Sequence, residues 1–387
     1  MSAIPNVSEG FFAWRRAEFP FFERKICLTH ASVSPIPARA QQALVDYAGR
    51  LACEGQFDYI HEPTYQRCKA RLAKLIGHGA KPEEIAFAGS TSHALGLVAT
   101  AYPWKPGDNC VVSDGDFPAN VVTWKNLEHT HGIEVRLVPG RPVMDLTVAD
   151  LAPYVDENTR MVSLSAANFL SGYPLDLKSI GAWLHQRGIL FCVDAIQMLG
   201  AVPIDASEVD FLCADGHKWL LAPNGIAVLW ARSEALAKLR PMILGWLATQ
   251  GRDNWFAYDT TPRAQADCFE PGARNYLGAI ALEAALAVLE DAGAETVAAR
   301  VTSVRDHAAQ RLSEAGCTLL WTPEPGKATG IVSFQKPGVD TAALYQRIDE
   351  RFAVSIRQDR AGVPWIRLSP HFMNCEQDID ALVEWMG

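Results

Sequence analysis

The chain has 387 residues, of which 49% are hydrophobic and 20% charged, and 35 basic against 44 acidic side chains leave a formal charge of −9. That length supports one large domain plus a smaller one around a sizeable core, and an acidic chain without basic runs argues against nucleic-acid and anionic-membrane partners. No apolar run approaches the roughly 20 residues a bilayer-crossing helix needs, and the start "MSAIPNVSEGFFAWRRAEF" lacks the basic-then-apolar order of a signal peptide.

Nine cysteines are scattered at Cys27, Cys53, Cys68, Cys110, Cys192, Cys213, Cys268, Cys317 and Cys375, with no CxxC pair. The odd number and the spacing speak against a disulfide framework or a zinc site, so no metal is expected and a reducing cytoplasm is the natural compartment.

Helical and strand patterns alternate from about residue 64. "TYQRCKARLAKLIG" has helical apolar spacing and stops at Gly77. "EIAFAG" reads as a strand, "STSHALGLVATAY" as a helix, "NCVVSD" as a strand, "ANVVTWKNLEHTHG" as a helix and "IEVRLVP" as a strand. "RMVSLSAAN", "ILFCVDAIQ", "VDFLCAD" and "GIAVLWA" are further strands, with the helix "LKSIGAWLHQRG" among them. Apolar strands separated by helices of a dozen residues predict an α/β domain with a mainly parallel sheet covered on both faces. After about residue 262 the pattern changes to long Ala/Leu-rich helices and then short strands, "GIVSFQ", "VSIRQ" and "WIRLSP", before a final helix. The expected division is an N-terminal segment over 1–60 that joins the smaller unit, a large domain over 61–262 and a small α+β domain over 263–387.

Ligands of open parallel sheets bind at the carboxyl ends of the strands, and several polar residues fall there. In "AFAGSTSHALG" a strand runs through Gly89 into Ser90 and Thr91 and at once into a helix. Hydroxyls together with a helix N-terminus make an anion cradle, although ordinary helix capping reads the same way. Asp194 ends the apolar run "ILFCVDAIQ", where a carboxylate needs a cation or donors. Gln197 lies three residues on. Lys218, in "CADGHKWLLAPNG", follows another strand end by three residues. A desolvated lysine loses its proton more easily and can attack a carbonyl. An aldehyde anchor, a carboxylate for a pyridine nitrogen and an anion site are together what pyridoxal 5'-phosphate requires. Phe117 in "DGDFPANVVTW" could stack on a flat ring, and Asn168 in "SAANFLSG" could bond a ring hydroxyl; a core phenylalanine and a turn asparagine are the plainer readings. Arg367 in "WIRLSPHF" needs an anion, for which a substrate carboxylate or an exposed strand position are alternatives.

The segments "FCVDAIQ...CADGHKWL", "GSTSHALGLVA", "GDFPANVVTW" and "IRLSPHFMNCEQDID" together resemble class V aminotransferases of fold type I, a family similar in sequence to cysteine desulfurases, selenocysteine lyases, isopenicillin N epimerase-like proteins and kynureninases. The resemblance implies a pyridoxal 5'-phosphate enzyme with a seven-stranded large domain and a small α+β domain. It further implies a small amino acid as substrate and a homodimer with shared active sites. Lys218 would be the aldimine lysine and proton shuttle, Asp194 the partner of the pyridinium, and Gln197 that of the ring oxygen. Ser90, Thr91 and His217 would serve the phosphate, Phe117 and Asn168 the ring, and Arg367 the substrate carboxylate. "FEPGARN" (269–275) would reach towards the partner's phosphate site.

Three departures narrow the reaction. Gly362 falls where desulfurases carry a loop cysteine, Phe117 where they carry a histidine, and Asp215 where a phosphate-binding serine is common. Transaminase, lyase or epimerase chemistry therefore ranks above a desulfurase or selenocysteine lyase. A kynureninase-like hydrolase would need an aromatic pocket, for which Trp104, Trp246, Trp255 and Trp365 offer material. A non-catalytic cofactor binder is disfavoured by the intact Lys218, Asp194 and Gln197. A nicotinamide oxidoreductase is disfavoured because no GxGxxG opens a βαβ unit.

Overall fold

The computed structural model describes residues 5, 7–56 and 63–387, and the expected border at residue 60 lies outside the described residues. A short strand, β1 (Ile26–Cys27), comes first. The apolar runs that follow become β2 (Ile85–Ala88), β3 (Asn109–Ser113), β4 (Glu134–Val138), β5 (Thr159–Ser165), β6 (Leu190–Asp194), β7 (Phe211–Asp215) and β8 (Ala227–Ala231). These seven form one sheet in the order β2-β8-β7-β6-β5-β3-β4. Only β8 runs against its neighbours, so the carboxyl ends of the other six share one edge.

The sheet is apolar on both faces because helices cover both. Along β6, Phe191 and Val193 point into a core shared with Tyr65, Leu72, Leu184 and Leu282, while Leu190 and Cys192 meet Leu95, Val98, Trp124 and Leu127 on the other side. The two-residue alternation of a strand thus feeds two separate layers, which is why these strands read as continuous apolar runs rather than as an alternating pattern.

The remaining strands are β9 (Thr318–Leu319), β10 (Val332–Gln335), β11 (Phe352–Ala353), β12 (Ser355–Gln358) and β13 (Pro364–Leu368). Four of them form an antiparallel sheet, β12-β13-β10-β9, backed by the helices Ala294–Glu314 and Glu376–Met386. The N-terminal segment lies against this unit. β1 pairs in parallel with β11, and the backbone of Leu28 and His30 continues onto Ala353 and Ser369.

One buried carboxylate ties three pieces together. Glu270 accepts from the Phe87 amide of β2 at 2.9 Å and pairs with Lys69 at 3.1 Å and Arg274 at 2.8 Å. The three ionised side chains are almost wholly out of water. Removing one charge from such a cluster strands the others, at about 3–5 kcal/mol. Glu270→Gln is therefore expected to lower the unfolding free energy by roughly 3 kcal/mol in urea denaturation; a loss under about 1 kcal/mol would show that the cluster is no brace.

Candidate functional site

The shared edge of the large sheet gathers the polar residues. Beyond β2, Ser90 caps the helix Thr91–Ala101, its hydroxyl accepting from the His93 amide at 3.2 Å. Thr91 follows at the first helical position, and its Oγ1 is buried with no hydrogen-bond partner. The first N–H groups of a helix have no partner within the helix and carry partial positive charge. An unpartnered hydroxyl beside such N–H groups is the arrangement that suits an anion.

β6 ends on Asp194, which lies beside Ser165 of β5 and Cys213 of β7. Its carboxyl is wholly buried and accepts one backbone bond, from the Ile196 amide at 3.0 Å. Burial first, and the neighbouring Asp116 second, push its pKa up to about 7. Asp116 is itself buried and raised, although it accepts from the backbone amides of Phe117 and Ser165 and from the side chains of Ser165 and Asn120. A cation placed at Asp194 would remove a real electrostatic cost.

β7 ends on Asp215, and the turn after it carries His217 and Lys218. His217 Nδ1 stands 2.7 Å from Asp215 Oδ1. Lys218 is 9% exposed and has no hydrogen-bond or ion-pair partner among the described residues. Burial, and next the charge of Arg367, bring its pKa down to about 7, against the opposing pull of Asp194 and Asp215. Near neutral pH a large share of this amine is therefore unprotonated and nucleophilic. The turn holds Leu221 at φ 60°, a left-handed conformation that a branched side chain adopts only under tertiary constraint.

Arg367, on β13, is 1% exposed. Its Nη2 donates to Ser32 Oγ at 2.6 Å, its Nε to Ser355 Oγ at 3.2 Å and its Nη1 to the Phe169 carbonyl. It has no acidic partner among the described residues. Phe117 stands near the amine, with Lys218 Nζ 5.7 Å from its ring centroid and the Phe169 ring edge-on at 5.4 Å.

Ser90, Thr91, Phe117, Asp194, Gln197, His217, Lys218 and Arg367 all line one cavity of about 280 Å³. Asn168 does not. Its amide oxygen accepts from the Leu170 and Ser171 amides, so it holds its own turn and borders a small adjoining cavity instead. Gln197 reaches the cavity with both ends engaged: its nitrogen donates to the Ala31 carbonyl and its oxygen accepts from Trp219 Nε1. Asp215 also lines the cavity, where its Oδ1 meets the His217 ring and accepts from the His217 backbone amide at 3.5 Å.

Sequence reasoning missed Ser32, Asp116, Phe169 and Arg357, which complete the walls or lie just behind them. Arg357 had a legible signal, since it stands in the short strand read from "VSIRQ", where a guanidinium calls for an anion as at Arg367. Ser32 had none. It belongs to the N-terminal segment and arrives through the pairing of β1 with β11 and the bonds of His30 and Ala31 to Ser369. The four tryptophans considered for an aromatic pocket do not line this cavity.

The class-V aminotransferase family model matches residues 28–382. A cysteine desulfurase of Dickeya dadantii is 28% identical over 95% of this chain and 86% of its own length. An isopenicillin N epimerase of Streptomyces clavuligerus is 27% identical over 92% of this chain and 93% of its own. The solved cysteine desulfurase of Thermococcus onnurineus shares the fold, with a TM-score of 0.85 at 22% identity over 100% of this chain and 98% of that one. With its mainly parallel large sheet and its helix layers the molecule has fold type I architecture. The chain belongs to the class-V aminotransferases and is an enzyme of their pyridoxal-phosphate-dependent kind.

Proposed function

We propose that Lys218, Asp194 and the Ser90–Thr91 helix start hold pyridoxal 5'-phosphate, and that Lys218 is the base in an aminotransferase or lyase reaction at Cα of a small amino acid. One observation carries this reading. Across a single cavity stand an unpartnered amine, a carboxyl held above its usual range and a buried hydroxyl with nothing to bond. An aldehyde, a pyridinium and a phosphate on one ligand would satisfy all three.

The bound cofactor supplies an electron-withdrawing ring that makes a substrate Cα–H acidic. The chain supplies the rest. Asp194 would keep the ring nitrogen protonated, Arg367 would orient the substrate by its carboxylate, and Lys218 Nζ would take the Cα proton and pass it on, to the cofactor in transamination or to the leaving group in β-elimination. Phe117 and Phe169 close that region with carbon, and His217 is engaged by Asp215. Lys218 is thus the free base of the cavity, and proton transfer stays on the face it occupies. This supports transamination or β-elimination over epimerisation, which calls for delivery to the opposite face. No cysteine lines the cavity, and Gly362 occupies the turn between β12 and β13, which disfavours a persulfide step there.

Self-association into a homodimer is part of the same reading. Met242, Ile243, Trp246, Trp255, Phe256 and Tyr258 are between 46% and 81% exposed along one stretch. An apolar patch of that kind is covered in most soluble proteins.

Purified protein is expected to be yellow, and borohydride reduction should fix the cofactor to Lys218, read by peptide mass spectrometry; label on another lysine would refute the assignment. Lys218→Ala should reduce turnover of every amino acid in a panel by at least about a thousandfold, with products of the wild-type reaction showing oxo-acid or elimination chemistry.

Asp194→Asn separates stability from function. A folded-state pKa raised above the unfolded value means that stability is lost as pH rises from the ordinary aspartate range through about 7. At pH 8 the cofactor-free Asn variant should therefore melt higher than wild type, while its cofactor affinity falls by at least about tenfold. A lower melting temperature would show that the carboxylate stabilises the empty chain. Sedimentation velocity should give a dimer, and Phe256→Glu should shift it towards monomer; an unshifted dimer would move the interface elsewhere.

A further inference from the structure

The arginine end of the cavity holds more positive charge than a simple amino acid can balance. β12 and β13 pair with Ser355 opposite Arg367 and Arg357 opposite Trp365. Alternate residues of a strand share a face, so Arg357 and Arg367 are diagonal neighbours on the same side of the sheet. Both guanidinium groups donate to a single hydroxyl oxygen, Ser32 Oγ, from Arg357 Nη2 at 2.8 Å and from Arg367 Nη2 at 2.6 Å. The other bond of Arg357 goes to its neighbouring carbonyl, that of Ile356, at 2.7 Å. Neither guanidinium has a carboxylate partner among the described residues. Desolvation holds both below their usual basicity, and at Arg367 the charge of Arg357 adds to it.

The acidic groups of the cavity are committed elsewhere. Asp215 faces His217, and Asp194 lies beyond Lys218 at the end of β6. Two like charges so close, half-buried and wholly buried, are unfavourable without anions to meet them. One substrate carboxylate answers Arg367. The second cation is left over.

We propose that Arg357 reads a second anionic group, so that the preferred substrates are short amino acids with an acidic side chain, of the size and charge of aspartate. This rests on the assignment of Arg367 to the substrate's α-carboxylate. Arg357 is then the residue that decides between acidic and neutral side chains of similar length, a charge-assisted and potentially bidentate contact.

The test uses the cofactor-loaded enzyme and two unreactive acids, succinate and propionate, with affinities measured by titration calorimetry. Wild type should bind succinate at least about tenfold more tightly than propionate. Arg357→Gln should erase that difference by weakening succinate about 10- to 100-fold, and Arg357→Lys should restore part of it. In turnover, the ratio of kcat/KM for L-aspartate over L-alanine should fall in the same order. Equal binding of the two acids by wild type would overturn the proposal. So would an Arg357→Gln variant that weakens both acids alike, which would mean one shared carboxylate, or one that chiefly loses cofactor, which would assign the arginine to the phosphate. Arg367→Gln tests the underlying reading separately. It should weaken both acids, and if it weakened neither while Arg357→Gln still removed the succinate preference, the Arg367 assignment would fail and the second-anion site would stand.

Discussion

Lys218 is an amine kept out of water beside two guanidinium groups with no counter-ion of its own, and the rest of the cavity is arranged around that fact. In water the side chain would hold its proton far above neutrality. Behind β7 and β13 it cannot, because charging it there means adding a third cation to a dry wall. The same dryness acts in the opposite sense on Asp116 and Asp194, which are pushed towards their neutral forms. The site therefore sets two acids and an amine, all held towards their neutral forms, against two guanidinium groups that have no carboxylate partner among the described residues. A ligand with a positive ring nitrogen, a negative phosphate and a negative substrate arm is the complement of that distribution.

Such a distribution persists only if the scaffold allows the groups no escape, and the lysine turn is held from outside its own domain. The carbonyls on either side of Lys218 are both engaged by the smaller unit and its N-terminal segment. The Ser34 amide donates to the His217 carbonyl at 2.8 Å, and His371 Nε2 lies 3.1 Å from the Trp219 carbonyl. Burial brings His371 down to about 4, so at neutral pH its ring is uncharged, and a carbonyl partner fixes Nε2 as the protonated nitrogen. Trp219 is clamped as well. A side chain at Gly330 would meet its ring at 2.4 Å, and one at Gly200 would meet its carbonyl at 2.5 Å. Arg367 sits four residues before His371, so the group assigned to a substrate carboxylate and one that steadies the lysine turn belong to one short stretch of chain.

What the sequence revealed and what it hid follow from range. Asp194 was legible because an acid that ends a fully apolar run must lie at a strand end, and strand ends of a parallel sheet converge. Lys218 was legible for the same reason, as a charge three residues past such an end. Ser32 was illegible, since its place depends on a two-residue parallel pairing more than 300 positions away in the chain. Arg357 lay between these cases. Its strand was visible, but that it shares a face with Arg367 depends on the register of β12 against β13, which no local pattern states. Asn168 shows the converse error: a polar residue at the right strand end whose oxygen its own turn had already claimed.

The division between legible and hidden parts also separates the cofactor from the reaction. Residues that would hold the cofactor stand on or just past strands of the large sheet, where a shift of one position would turn the side chain into the core. The positions that distinguish reactions stand on segments with more freedom: Phe117 before a helix, Gly362 in the turn between β12 and β13, and Arg357 on the edge strand of the small sheet. Replacing any of these leaves the parallel sheet and the lysine turn as they are. One scaffold can therefore present the same activated Cα to different outcomes, and the choice rests with whichever groups the small unit brings to the open side of the cavity. In this chain those groups are two guanidinium ions with no thiol among them, so that wall of the cavity suits anions and, on the reading proposed for Lys218, the chemistry is left to that amine.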